Sequence, residues 1–163
     1  MTMKSIPFAL LCAFICANAS AQALRTERNI TLEFASQLAS DAMSICTGKG
    51  FNVSVVVVDR GASVRVSQRG DGAGAHTLMA AQEKAYTSAS SGGATQLLGE
   101  RAQAPGGPAY LANIPGFLLL GGGVPIRAGS ELVGAIGVAG APRGTDDEQC
   151  ALAALEKSRD KLK

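Results

Sequence analysis

The sequence predicts a single α+β domain built on a largely antiparallel sheet, and three observations support this prediction. Helical hydrophobic periods lie at both ends of the chain and in its middle. The predicted strands fall into two groups whose members are joined by short turns, and such strands pair as antiparallel hairpins. No internal repeat or interdomain linker divides the chain. Helices kept apart from a hairpin sheet are typical of the α+β class.

Residues 1–21 have the layout of a secretory signal peptide, so the domain is predicted over residues 22–163. Lys4 supplies a basic start, the apolar run from Ile6 to Ala17 has 12 residues, and small residues up to Ala21 form cleavage sites. Such a run is too short to span a membrane, which takes about 20 apolar residues. We therefore expect an exported protein, periplasmic or secreted, with no membrane attachment after cleavage. Removing 21 of the 163 residues leaves 142, which is enough for one core.

The first half of the domain is predicted from its hydrophobic periods. Thr31 can cap a helix in which apolar residues recur at helical spacing as far as Cys46. A run of valines then predicts a buried strand, and an alternating run after a glycine turn predicts its hairpin partner. The predicted elements are a helix over 32–46, strands over 53–59 and 63–69, a helix over 76–88 and a short helix over 94–102.

The second half is predicted to contain three strands and a last helix. A short strand over 117–120 leads into the Gly121–Gly123 run, and a hairpin follows. Thr145 and Glu148 have the spacing of a capping box, which predicts the start of the last helix. The predicted elements are strands over 117–120, 124–127 and 132–138 and a helix from Thr145 to about Leu162. Glycines inside the last strand are expected to allow close packing of the strand against a helix.

The charge balance excludes several classes of protein. The formal net charge is +2, and it falls to +1 when Lys4 leaves with the signal peptide. This gives no basic surface for nucleic acid and no run of like charge for an anionic membrane. Hydrophobic residues make up 47% of the chain, which excludes a disordered protein.

Two cysteines remain after cleavage of the signal peptide, Cys46 and Cys150. Two cysteines in an exported chain form one disulfide or none. Both lie on apolar faces of terminal helices that can pack side by side, which favours the disulfide. The alternative is a pair of buried free thiols.

His76 is the only histidine and the first candidate for chemistry. At the start of a predicted helix, an imidazole can ligate a metal or haem iron, or move protons near neutral pH. The alternative is a surface or packing histidine. One histidine and two distant cysteines do not form a zinc site.

Charged residues flank His76 on the same loop and helix. Arg69, Asp71 and Lys84 could bind carboxylates, propionates or phosphates. The alternative is a local ion pair of Arg69 with Asp71 and a solvated Lys84. The amides of Gly121–Gly123 could form an anion-binding nest beside a cavity, or the glycines could serve only as a backbone bend.

Several motifs in this order resemble the GlcG/HbpS family, which is also found as the C-terminal domain of PduO-type proteins. The resemblance covers about residues 30–162. The motifs are VVVVDR at 55–60, RGDGA at 69–73, KAYTSA at 84–89, GGGVPI at 121–126, VGAIGVAG at 133–140 and Asp147-Glu148. The resemblance implies a profilin-like domain with a five-stranded, largely antiparallel sheet and flanking helices, assembled as a homo-oligomer. It also implies haem as the cofactor, because characterised relatives bind haem.

The resemblance raises His76 as the iron ligand, because the stretch from Asp71 to Thr77 is similar to an exported subset with His-Thr at the head of the helix. Arg69 or Lys84 would then pair with the haem propionates, with Thr77 beside the ligand. Ala139 departs from the family's usual serine, which could alter a pocket wall.

Three functions remain open on the sequence. The first is an exported haem-binding protein for haem sensing, carriage or degradation. The second is an enzyme of small carboxylates, in which Arg69 holds the anion and Asp71 or His76 moves a proton. The third is an oligomeric interaction module without a small ligand.

Overall fold

The computed structural model describes residues 23–163, so the predicted signal peptide lies outside the described residues. Residues 23–163 form one α+β domain with four α-helices and a four-stranded antiparallel sheet, as predicted for the class. The α-helices are α1 (Leu32–Gly48), α2 (Thr77–Ser91), α3 (Thr95–Gln103) and α4 (Gly144–Lys157). The strands are β1 (Ser54–Asp59), β2 (Val64–Arg69), β3 (Gly123–Ala128) and β4 (Glu131–Ala139). Short 3-10 helices span Ala109–Asn113 and Arg159–Leu162.

The sheet has the order β2-β1-β4-β3, and all three neighbouring pairs are antiparallel. The two hairpins expected from the sequence are therefore present, and the first strand of one pairs with the second strand of the other. The valines of β1 lie at the centre of the sheet and are fully buried. This agrees with the prediction of a buried strand from a continuous apolar run.

The strand expected over 117–120 is absent from the described residues, so the sheet has four strands and not five. Hydroxyl groups of two helix residues form hydrogen bonds with the backbone of this segment. Thr87 Oγ1 accepts a hydrogen bond from the Leu118 amide at 2.8 Å, and Thr95 Oγ1 donates to the Leu120 carbonyl at 2.6 Å. The Leu118 amide and the Leu120 carbonyl are therefore bonded to side chains and not to a neighbouring strand.

Helices cover the two faces of the sheet unequally. α1 and α4 pack with the larger core on one face, and a disulfide between Cys46 and Cys150 joins them there, as the sequence favoured. α2 lies on the other face over a smaller core of alanines and valines. No helix in the range 23–163 has the length and apolar character that a membrane span requires.

Glycine in β4 lets α2 lie close to the sheet. A Cβ atom built on Gly137 would lie 2.7 Å from the Ala85 nitrogen and still closer to the Ala81 carbonyl oxygen. Real Cβ atoms essentially never approach other atoms within 3.0 Å, so only glycine fits at this position. The predicted close packing of strand against helix is confirmed. It fixes α2, which carries several of the candidate site residues.

The helix starts follow the sequence in one case and depart from it in another. Thr31 caps α1 by accepting a hydrogen bond from the Phe34 amide at 3.1 Å, as predicted. The capping box predicted for the last helix is wrong, because α4 begins at Gly144 and no side chain caps it. Glu148 turns instead toward α3, where its carboxylate accepts from the Gln96 amide at 3.3 Å.

Candidate functional site

A cleft of about 810 Å³ opens between the first turns of α2, helix α3 and the β4–α4 loop. This volume lies in the range of roughly 300–1,000 Å³ that is usual for small-molecule and cofactor sites. Its apolar lining includes Phe51, Ala80, Leu119 and Leu120. Side chains that could bind a ligand or take part in chemistry line the rest of it. The cleft is therefore the candidate site.

Helix α2 carries a row of residues along the cleft. His76, Ala80 and Lys84 are four residues apart and so lie on one helix face, and all three line the cleft. The eight residues from His76 to Lys84 correspond to about 12 Å along the helix axis. His76 is exposed, whereas Lys84 is buried. The imidazole therefore lies at the mouth and the ammonium at the floor.

Lys84 forms a buried ion pair at the floor. Its Nζ donates to Asp147 Oδ2 at 2.9 Å and to the Val138 carbonyl at 2.9 Å, and its side chain is only 4% exposed. The prediction that Lys84 could be a solvated surface lysine is wrong, because α4 and β4 enclose it. An ammonium carries three donors, so one remains for a ligand oxygen.

Asp147 is the functional candidate that sequence reasoning missed as a site residue. Its side chain is 3% exposed, lines the cleft and also accepts from the Ala141 amide at 2.9 Å. Burial raises the pKa of the Asp147 carboxyl above its ordinary value, although the charge and hydrogen bond of Lys84 oppose that effect. The signal in the sequence is the Asp147-Glu148 motif, which carries part of the family resemblance but does not by itself indicate a site residue.

Thr77 anchors the start of α2 beneath His76. Its Oγ1 donates to the Gly74 carbonyl at 2.8 Å, and the same oxygen accepts from Ser54 Oγ at 2.7 Å. The residue is buried but lines the cleft. Its hydroxyl is thus used within the protein, and its contribution is to fix the backbone that carries the histidine.

Arg69 and Asp71 do not line the cleft. The Arg69 guanidinium donates to the Ala73 carbonyl through Nε at 3.0 Å and through Nη2 at 2.6 Å, which closes the loop after β2. Of the four residues predicted to bind a cofactor, the cleft therefore brings together His76, Thr77 and Lys84.

The Gly121–Gly123 run is buried, and Gly121 lines the cleft. The Gly122 amide donates to Glu148 at 3.4 Å, and the Gly123 amide donates to Thr95 Oγ1 at 2.8 Å. Two of the three amides are therefore used by side chains, and the predicted anion nest is not formed. Gly122 has φ +123°, and a Cβ there would lie 3.0 Å from Lys84 Nζ. The run thus makes room for the buried ion pair.

Comparison with known proteins gives one family. Residues 30–156 match the HbpS-like family, described as "Haem degrading protein HbpS-like". No curated protein matches the chain.

Solved structures share the fold. A crystal structure of HbpS is 42% identical, with a TM-score of 0.77 over 83% of this chain and 94% of that chain. A double mutant of Streptomyces reticuli HbpS is 37% identical, with a TM-score of 0.79 over 95% of this chain and 98% of that chain. A structure described as a PduOC:heme complex is 24% identical, with a TM-score of 0.68 over 77% and 94%. At that identity the last likeness shows the fold alone.

Proposed function

The chain belongs to the HbpS-like family, and from this premise we propose that it is an exported haem-binding protein. The observation that carries the proposal is the cleft of about 810 Å³ with the sole histidine of the chain exposed at its mouth. The family description, which names haem, supports haem as the ligand.

The residues of the cleft fit such a cofactor. An imidazole is a common axial ligand of haem iron. The imidazole of His76 makes no capping hydrogen bond to its own helix, so it is available for iron. The apolar side chains of Phe51, Leu119 and Leu120 offer surface for a porphyrin face. When bound, haem would supply a redox-active iron, which suits sensing, carriage or degradation of haem.

The protein's own contribution would be to hold and orient the ligand. His76 lies at the N-cap of α2, where its exposed imidazole lines the mouth of the cleft. The apolar wall excludes water from the buried side of the ligand. Lys84 would lie beneath the ligand at the floor, where Asp147 balances its charge. Arg69 would need to leave the Ala73 carbonyl before it could pair with a propionate.

A haem titration of the mature protein, followed by visible absorbance, tests the proposal. We expect a saturable Soret change at about one haem per chain. His76→Ala should alter the spectrum and weaken binding by about tenfold or more, which corresponds to about 1.4 kcal/mol or more. Gln103→Ala is a matched control, because Gln103 lines the same cleft but cannot serve as an imidazole ligand. A wild-type protein without saturable binding would refute the function, and an unchanged spectrum in His76→Ala would refute the ligand.

Export, assembly and the detailed fold type belong to the same proposal. Residues 1–21 would act as a signal peptide, so the mature protein would begin near residue 22 in the periplasm or outside the cell. The resemblance of the sequence motifs implies a profilin-like topology and a homo-oligomer. N-terminal sequencing of the exported protein tests the cleavage of the signal peptide. Light scattering of the purified chain tests the homo-oligomer.

A further inference from the structure

Gly74 lies directly against the imidazole of His76. A Cβ atom built on Gly74 would lie 2.9 Å from His76 Cε1 and 3.1 Å from His76 Nδ1. Ordinary van der Waals contacts of a Cβ begin at 3.4 Å. The next neighbour is Thr77 Cγ2 at 3.6 Å, so His76 Nε2 lies no nearer than that. The edge of the ring formed by Nδ1 and Cε1 therefore faces Gly74, and Nε2 lies farther from Gly74 than Nδ1 does.

The backbone at Gly74 does not itself require glycine. Gly74 is not among the residues of positive φ, in contrast to Gly72 in the same loop. An alanine could adopt this backbone without strain, so the glycine is needed only for space. The space it leaves is filled by the His76 ring.

The loop cannot easily move away from the ring. The Gly74 carbonyl accepts from the Thr77 amide at 3.1 Å and from Thr77 Oγ1 at 2.8 Å. Thr77 is buried and also accepts from Ser54 of β1. A methyl group on residue 74 would therefore displace the imidazole rather than the backbone. His76 makes no capping hydrogen bond, so only packing resists that displacement.

We propose that Gly74 is a positioning residue for His76, which sets the rotamer of the imidazole and presents Nε2 as the ligating nitrogen. This inference rests on the proposed function, since it gives the orientation of the haem ligand. It assigns to Gly74 a role that a glycine-rich loop does not reveal in sequence.

Gly74→Ala in the mature protein tests the inference by haem titration. Its spectrum should shift toward that of His76→Ala, and binding should weaken about five- to tenfold. The double variant Gly74→Ala/His76→Ala should match His76→Ala alone, because the glycine acts only through the ring. Gly48→Ala is the control, because a Cβ on Gly48 meets nothing within 4 Å. Loss of binding by the same factor with and without His76 would overturn the inference, and so would a wild-type spectrum in Gly74→Ala.

A measurement without haem separates this inference from the proposed function. The untagged protein has one histidine, so its imidazole gives a single set of NMR signals. Gly74→Ala should move those signals, whereas Gly48→Ala should not. Moved signals in a protein that fails to bind haem would support the contact and refute the proposed function. Unmoved signals would overturn the positioning role whatever the protein binds.

Discussion

Replacing Gly137 by alanine tests how closely α2 must lie on the sheet. The new Cβ would lie 2.7 Å from the Ala85 nitrogen, about 0.7 Å inside the ordinary contact limit of 3.4 Å. The Ala81 carbonyl oxygen, on the same helix, is closer still. Both neighbours are backbone atoms, which cannot rotate away as a side chain can. Either α2 or β4 must shift as a unit, and overpacking of this kind costs about 1–3 kcal/mol.

Urea unfolding followed by circular dichroism measures this cost. We expect Gly137→Ala to lower the free energy of unfolding by about 2 kcal/mol or more. The slope of that free energy against urea concentration should not change. Gly48→Ala serves as the control and should not destabilise, since its Cβ meets open space at the end of α1. Because α2 carries His76 and Lys84, Gly137→Ala should also weaken haem binding. A loss of less than about 0.5 kcal/mol would show that the helix is not held at the distance described.

Two further predictions concern the face of the sheet that α1 and α4 cover. The disulfide joins cysteines 104 positions apart, so Cys46→Ala/Cys150→Ala should lower the free energy of unfolding by about 4–5 kcal/mol in the chain-entropy treatment. Equal urea midpoints for the wild-type protein with and without a reductant would contradict this prediction. Burial raises the pKa of the Asp41 carboxyl, but hydrogen bonds from Lys157 and Gln37 outweigh it and hold the pKa below the ordinary 3.8. The stabilisation from the ionised Asp41 carboxylate is complete above its pKa in the unfolded chain and is lost as pH falls through its pKa in the folded protein. Asp41→Asn should therefore flatten the fall in melting temperature below about pH 4. Parallel curves of melting temperature against pH for the variant and the wild type would contradict this prediction.

Local patterns in the sequence predicted most of the elements. The capped period of α1, the valine run of β1 and the two hairpins depend on neighbouring residues, and all of them are present. The prediction of a strand over 117–120 was wrong because the groups that bind this segment are distant in sequence. The hydroxyls of Thr87 and Thr95 bond the Leu118 amide and the Leu120 carbonyl, and nothing in the residues of that segment shows that these hydroxyls are near.

The floor of the cleft could not be predicted for the same reason. Lys84 and Asp147 are 63 positions apart and meet near the end of β4, where Lys84 also donates to the Val138 carbonyl and α4 begins shortly after the strand. The choice between a disulfide and free thiols likewise depended on packing. Cys46 and Cys150 have a Cα separation of 5.6 Å, within the range for a disulfide, once the terminal helices lie side by side.

The charges of the cleft bear on which ligand it suits. At the floor, Asp147 neutralises the Lys84 ammonium, and Glu100 adds a negative charge to the lining. A small acid enclosed at the floor would lose its hydration without meeting a free counter-charge, and such burial is costly. Arg69, the cation expected to hold that acid, lies outside the cleft. Haem bound through His76 at the mouth could keep its propionates in water and bury only its apolar body. The charge distribution therefore favours a large ligand anchored at the mouth over a small anion held at the floor.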